Sequence, residues 1–215
     1  MLKRALMGAA ITLAALSAQA QTVLLNEDFN SVAGLGAAGW VFQNDSYPAA
    51  TGDWFQGNSG IFASQAGADD AYIAANFLSA PPGGFIDNLL ITPVFSLASD
   101  VILTFWARAD IIDGFSDSFA VLAGITPSGG MEDVTPVFAD TVATGGWTQY
   151  SVTLAAQGAG STGRFAFEYF GYADTSNYIG LDTVTVTAVP EPGTYALMAL
   201  GLGAIAFVRR RRANA

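Results

Sequence analysis

The chain has 215 residues, with 18 acidic and eight basic side chains, no cysteine and no histidine. The absence of histidine excludes the most common general base, the serine and cysteine triads, and most zinc sites. Without cysteine there is no disulfide, so a hydrophobic core must stabilise the folded part, as it can in a chain of this length.

The N-terminus has the ordered features of a secretory signal peptide. A short basic region, Lys3 and Arg4, precedes an apolar run at residues 5–16, and small residues follow it. Residues 1–20 are therefore predicted to be a signal peptide, and the mature chain to begin at Gln21. A retained transmembrane helix is the alternative, but the apolar run is too short for one.

Acidic residues are concentrated between the two ends of the chain. The segment from Gln21 to Val189, called the body below, carries 17 acidic residues against only Arg108 and Arg164, a net charge of −15. Such a surface repels nucleic acid phosphates and anionic lipid head groups, which excludes both as partners of the body. It suits divalent cations, or neutral sugars for which charge matters little.

Short alternating or apolar runs bounded by Gly, Pro, Asn, Asp and Ser dominate the body, which predicts strands rather than helices. The predicted strands are residues 23–25, 40–43, 61–64, 71–76, 88–91, 95–97, 101–108, 117–125, 149–154, 164–170 and 178–187. Strands this short and closely spaced indicate one all-β domain at residues 21–188, a β-sandwich of jelly-roll type. An up-and-down barrel is the alternative.

Two of these strands show the alternation most clearly, and one face of each is predicted to enter the core. The inward residues are Val101, Leu103, Phe105 and Ala107 in the first, and Phe165, Phe167 and Tyr169 in the second.

Several segments of the body resemble the choice-of-anchor J domain, a relative of the cleaved-adhesin and MAM-like jelly rolls. The matching segments are residues 26–29 (NEDF), 54–58 (WFQGN), 88–93 (NLLITP), 103–108 (LTFWAR) and 178–184 (YIGLDTV). The resemblance implies a non-catalytic exported module. It also implies an association with adhesion, with glycan or surface-protein binding, and often with a structural calcium ion.

A calcium site is predicted where the two ends of the body meet. In jelly rolls of this type the first and last strands lie side by side, so Glu27 and Asp28 are expected to approach Asp182. Because Ca²⁺ needs six to eight oxygen ligands, backbone carbonyls and a further side chain, Asp53 or Asn58, would have to contribute. The alternative is that these side chains are solvated charges or turn caps.

The other acidic groups form no catalytic constellation in the sequence. Residues 110–117 contain three aspartates and are predicted to be a turn rather than a weak cation site. The doublets at residues 69–70 and 132–133 would point to opposite faces of a strand, and the sequence brings neither to face Glu168. The body is therefore predicted not to be an enzyme.

Aromatic residues offer a second kind of site. A stacked tryptophan gives a sugar ring a flat apolar face with a polar edge. Trp54 lies in a polar loop at residues 51–60 and is predicted to be a ligand-binding platform. Packing in the core or under a loop is the alternative for Trp54 and for the three other tryptophans.

The C-terminus ends the folded domain and begins a different kind of segment. Pro190 and Pro192 flank Glu191 and exclude a strand or helix through that point. An uncharged apolar run follows at residues 195–208, which spans roughly 21 Å as a helix and just suffices to insert into a membrane. It is followed by Arg209, Arg210, Arg211 and Arg212, which are expected to stay on the cytoplasmic side. A buried core helix is the alternative.

These three features in this order resemble the PEP-CTERM sorting signal of Gram-negative bacteria, predicted here at residues 189–215. The resemblance implies that an exosortase recognises the signal and cuts near the Pro-Glu-Pro. It also implies transient insertion in the inner membrane, followed by delivery to the cell surface or the extracellular matrix.

The predicted function is that of a surface or exopolysaccharide (biofilm) matrix component. The alternatives are a glycan- or protein-binding adhesin and, less favoured, a secreted hydrolase.

Overall fold

The computed structural model of the chain describes residues 21–126 and 134–189, together with Gly201 and Arg210. Apart from those two residues, the predicted signal peptide, the Pro-Glu-Pro motif, the apolar helix and the arginine tail lie outside the described residues. Gln21–Pro190 forms one compact unit. No helix within the described ranges is long and apolar enough to cross a membrane.

The described residues fold almost entirely into strands. In chain order these are β1 (Thr22–Glu27), β2 (Val41–Asn44), β3 (Phe55–Gln56), β4 (Ile73–Asn76), β5 (Phe85–Ile91), β6 (Phe95–Ser96), β7 (Val101–Ala109), β8 (Ser118–Thr126), β9 (Val134–Thr141), β10 (Thr148–Leu154), β11 (Thr162–Tyr172) and β12 (Tyr178–Ala188). Short 3-10 helices lie at Val32–Gly34, Phe77–Ser79 and Ala173–Thr175.

The strands form two sheets. Sheet A has the order β10-β7-β12-β4-β3, with β1 also paired to β12, and sheet B has the order β2-β5-β11-β8-β9, with β6 also paired to β11. Every ladder between these strands is antiparallel. The predicted β-sandwich is confirmed, and two separate sheets replace the alternative of one closed barrel.

The core lies between the sheets and takes one face of each. The side chains predicted to point inward from β7 and β11 are all fully buried. Phe105 of sheet A meets Phe167 of sheet B edge to face, with ring centroids 5.0 Å apart. Burial of each such ring stabilises the fold by roughly 2–3 kcal/mol.

Three local predictions differ from the structure, each for a physical reason. β9 was not predicted because Pro136 interrupts its pattern, yet proline is tolerated on this exposed edge strand. β3 is too short to show a pattern. The strand predicted at residues 61–64 is wrong, because the segment is a loop whose Phe62 is buried against the outside of sheet A.

Both ends of the body lie at the same end of the sandwich. Thr22 of β1 is opposite Ala188 of β12, and Ala188 is also opposite Val101 of β7. β12 then leads back to Tyr178, which is roughly 33 Å away at the strand rise of about 3.3 Å per residue. The end with the chain termini is called the proximal end below, and the end near Tyr178 the distal end.

Candidate functional site

Asp182 is fully buried at a break in the last strand. The β12–β7 register shifts between Asp182 and Thr185, and Thr183 has a φ of 50° there. One carboxylate oxygen of Asp182 accepts hydrogen bonds from the amides of Gln65 (2.8 Å) and Ala66 (3.2 Å). The other accepts from the Thr183 amide (2.6 Å) and hydroxyl (3.3 Å). Burial raises the pKa of Asp182, and these bonds oppose that shift.

The other two predicted metal ligands lie on and after the first strand. Glu27 of β1 is opposite Val184 of β12, which confirms the predicted pairing of the first and last strands. A Glu27 carboxylate oxygen accepts a hydrogen bond from the Phe29 amide (2.9 Å), and burial raises the Glu27 pKa. Asp28 follows on the exposed surface.

The two auxiliary ligand candidates do not join this group. The backbone amide of Asn58 lies within hydrogen-bonding distance of the hydroxyls of Tyr72 (2.9 Å) and Tyr178 (3.0 Å). Asp53 lies in the segment before β3. Among the residues that the structure describes, no three acidic side chains are grouped as a metal site. Backbone amides also donate to both carboxylate oxygens of Asp182, so a cation there would have to compete with them. The calcium site stays a prediction.

The loop at residues 57–70 covers part of the outer face of sheet A. Phe62 stacks on Tyr72 with ring centroids 5.1 Å apart, and both rings contact Trp147. The Trp147 indole donates to the Ala63 carbonyl (2.9 Å). Gly180 makes this closeness possible, because a Cβ there would lie 2.9 Å from the Phe62 and Tyr72 rings. This part of sheet A is therefore closed to a ligand.

Trp54 is not an exposed platform. Its side chain is only 4% exposed, it belongs to the main core, and its indole donates to the Asn88 carbonyl (3.2 Å). The ring therefore has no free face for a sugar, which corrects the role predicted from its polar sequence neighbours.

The outer face of sheet B carries an open groove of about 250 Å³. Residues from all five strands of the main ladder line it. Its apolar part is Leu89, Ile91, Leu122 and Val134, and its polar part is Gln43, Asp45, Asp87 and Glu168. Leu89, Ile91 and Leu122 pack together with Ala120 and Ala166 as a separate apolar cluster. The groove thus has an aliphatic floor beside a row of side chains that can accept hydrogen bonds.

The acceptors of the groove lie close together without a cation among them. The Gln43 side-chain amide donates to the Asp45 carboxylate (2.6 Å), and the Asp87 amide donates to the Ser46 hydroxyl (2.9 Å). Burial raises the pKa of Asp87, with a further contribution from the charge of Asp45. Burial, and then the charge of Asp87, raise the pKa of Glu168.

Three exposed aromatic side chains continue this face toward the distal end, and are called the aromatic row below. Tyr47 is opposite Phe85 in an antiparallel bridge, and Phe85 is opposite Tyr172 in the β5–β11 ladder. Opposed residues point to the same side of a sheet. The Phe85 and Tyr172 rings meet edge to face at 5.4 Å, while Tyr47 is 79% and Tyr172 62% exposed.

The sequence contained a partial signal for the aromatic row. One predicted strand begins at Asn88, whereas the corresponding β5 begins at Phe85. Another predicted strand ends at Phe170, whereas the corresponding β11 ends at Tyr172. Extending the first strand by three residues and the second by two reaches Phe85 and Tyr172. Nothing in the sequence places Tyr47 beside them, because that contact joins distant segments.

We predict that Asp182→Asn lowers the free energy of unfolding by about 3 kcal/mol, because its amide group would face backbone donors and leave them without an acceptor. Thermal melts in EDTA measure this, with the exposed Asp28→Asn as the control of equal charge change.

The same melts, repeated with Ca²⁺ and with EDTA, test the predicted metal. If Ca²⁺ raises the melting temperature of the wild-type chain but not that of either variant, the ion is established. If the wild-type chain melts at the same temperature in Ca²⁺ and in EDTA, the site is excluded.

We also predict that the body loses stability as the pH rises above about 4. Asp87 and Glu168 have raised pKa values in the folded protein, so the folded state holds their protons more tightly than the unfolded state. This contribution is present below the ordinary carboxyl pKa and is lost as the pH rises through the raised value. Melting temperatures across the pH range should show a smaller slope for Glu168→Gln than for the exposed control Asp69→Asn. Equal slopes would contradict the prediction.

A model of the PEP-CTERM protein-sorting motif matches residues 188–212, which confirms the sorting motif predicted from the sequence. No protein with a curated description matches the chain.

Solved structures share the fold of the body. The K3 cleaved adhesin domain of Lys-gingipain from Porphyromonas gingivalis W83 is 25% identical, with a TM-score of 0.58 over 79% of this chain and 100% of that one. The K1 domain of the same protein is 25% identical, with a TM-score of 0.57 over 77% and 98%. The C-terminal family 22 carbohydrate-binding module of Clostridium thermocellum Xyn10B is 9% identical, with a TM-score of 0.51 over 78% and 94%, which shows the fold alone.

The chain therefore carries a PEP-CTERM sorting motif, which marks it as an exported protein, behind a jelly-roll body similar to cleaved adhesin domains.

Proposed function

We propose that the body is a non-catalytic glycan-binding module, sorted by an exosortase to the cell surface or to an exopolysaccharide matrix. The observation that carries this proposal is the outer face of sheet B, where the groove and the aromatic row form one open surface. Along β5 this surface extends from Phe85 to Ile91, roughly 20 Å at the strand rise of about 3.4 Å per residue. That length accommodates several sugar rings of an extended chain.

The chemistry of the surface favours a neutral polysaccharide. The aliphatic floor suits the C–H faces of sugar rings, and exposed tyrosines offer flat faces for stacking. Asp45, Asp87 and Glu168 can accept hydrogen bonds from hydroxyl groups, whereas they would repel phosphate, sulfate or uronate groups. A binding role is also supported by the similarity to domains named cleaved adhesins.

The sorting motif supports the proposed destination. Val189 still belongs to the folded body, since its amide donates to the Asp100 carbonyl (2.8 Å), and Pro190 follows immediately. Processing near the Pro-Glu-Pro would thus release the whole sandwich with its glycan surface intact.

We predict that Tyr172→Ala and Tyr47→Ala each weaken binding to a neutral polysaccharide by about tenfold, the equivalent of about 1.4 kcal/mol of lost contact. Affinity electrophoresis in gels containing xylan, galactan or a β-glucan measures this. Because both rings are exposed, melting temperatures should not change. Phe115→Ala, an exposed aromatic on another surface, is the matched control. Retardation that is the same in all variants, or absent from every gel, would contradict the proposal.

Sorting is tested in a Gram-negative host that carries an exosortase. Intact mass spectrometry of the envelope and secreted fractions should find a chain that begins at Gln21 and ends near Pro190. Replacing Pro190, Glu191 and Pro192 by alanine should leave the C-terminal segment attached, while replacing the exposed Asp69 and Asp70 by alanine should not affect processing. A wild-type chain that keeps Arg209–Arg212 would contradict the prediction.

A further inference from the structure

The distal end carries an exposed apolar patch that is separate from the glycan surface. Phe77 and Phe115 are each 42% exposed, Leu78 60%, Ile111 62% and Ile112 45%. Of these, Phe77, Leu78 and Phe115 line one pocket and form the patch, whereas Ile111 and Ile112 precede Phe115 in the turn before β8. Contiguous exposed apolar residues on a soluble domain mark an interaction surface more often than chance exposure does.

A pocket of about 310 Å³ lies within this patch. Phe77, Leu78, Pro82 and Phe115 form its apolar wall, and Asp174 and Asn177 its polar side. The volume suits one large aliphatic or aromatic side chain rather than an extended polymer. The patch therefore has a central cavity, which is the usual place for an anchor residue of a partner.

Hydrogen bonds hold the walls of the pocket in place. The Phe77 amide donates to the Asn177 carbonyl (3.0 Å), and the Leu78 amide to the Asn76 side chain (3.0 Å). On the opposite wall, the Ser116 amide donates to the Thr175 carbonyl (2.9 Å). A pocket with walls fixed in this way costs a partner little ordering on binding.

The charges around the pocket are all negative among the described residues. Asp174 lines it, Asp110 accepts a hydrogen bond from the Asn177 side chain (3.1 Å), and Asp113 lies in the same turn. Neither arginine of the body lines the pocket. Arg108 is near the distal end, opposite Gly180, but its guanidinium lies over the Phe62 ring (4.5 Å) on the outer face of sheet A. Arg164 lies near the proximal end of β11.

From this we infer that the distal end docks a protein segment in which one large apolar side chain is flanked by Lys or Arg. The apolar side chain enters the pocket between Phe77, Leu78 and Phe115, and the cations face Asp110, Asp113 and Asp174. A second copy of this chain is disfavoured, because a two-fold contact would bring these carboxylates together. Anionic lipid is disfavoured for the same electrostatic reason.

The test uses fluorescence anisotropy on the chain with its uncut C-terminal segment, held in phosphatidylcholine nanodiscs. The probe is a labelled synthetic peptide with a central Leu-Leu pair between two Lys-Arg pairs. It should bind, and binding should weaken at high salt because exposed charges contribute. Peptides with Ala-Ala at the centre, or with Glu in place of the cations, should bind at least about tenfold more weakly.

Variants locate the contact. Phe115→Ala and the more exposed Leu78→Ala should each weaken peptide binding by about tenfold. Asp174→Asn keeps the acceptor for the Gly83 amide and should reduce the salt dependence. Tyr172→Ala should leave peptide binding unchanged, so failure here is distinguishable from failure of glycan binding. Equal binding of the three peptides would overturn the inference. Self-association of the wild-type chain that Leu78→Ala abolishes would also overturn it, and so would adsorption of the chain to phosphatidylglycerol vesicles.

Discussion

The contact between the inner faces of the two sheets is the constraint on which the rest of the molecule depends. Once Phe105 and Phe167 meet in the core, each sheet is left with one outer face, and the two outer faces have different fates. Part of that of sheet A is covered by the loop at residues 57–70, through stacked aromatic rings and the buried Asp182 carboxylate. That of sheet B keeps an open groove, and this difference is the reason for placing the proposed glycan surface on sheet B.

The sequence predicted the fold better than the site. β7 and β11 alternate cleanly because one side of each faces the core, and that pattern is local. The role of Trp54 was misjudged because its polar neighbours indicated exposure, whereas its indole reaches the distant Asn88 carbonyl. Conversely, the aromatic row is assembled by a bridge between Tyr47 and Phe85, 38 positions apart in the sequence. Long-range pairing of this kind leaves no periodic signal.

The charge imbalance of the body also acquires a physical meaning from the structure. Asp87 and Glu168 are partly buried beside other acids rather than beside arginines, and this raises the pKa of each carboxyl group. A proton or a hydrogen-bond donor at these groups is therefore favourable. A hydroxyl-rich ligand supplies such donors without bringing charge. The partner inferred for the distal end is cationic because of the same acidity, so one excess of charge would serve the two proposed surfaces in different ways.

The position of the chain termini has a mechanical consequence. If the sandwich is held through its C-terminal end while a partner pulls on the distal end, the force runs along β12. The hydrogen bonds that join β12 to β1, β4 and β7 are perpendicular to that direction. Their hydrogen bonds are then loaded in shear and must break together rather than open one at a time like a zipper. A module attached in this way resists traction in a flowing or growing matrix through its central strand.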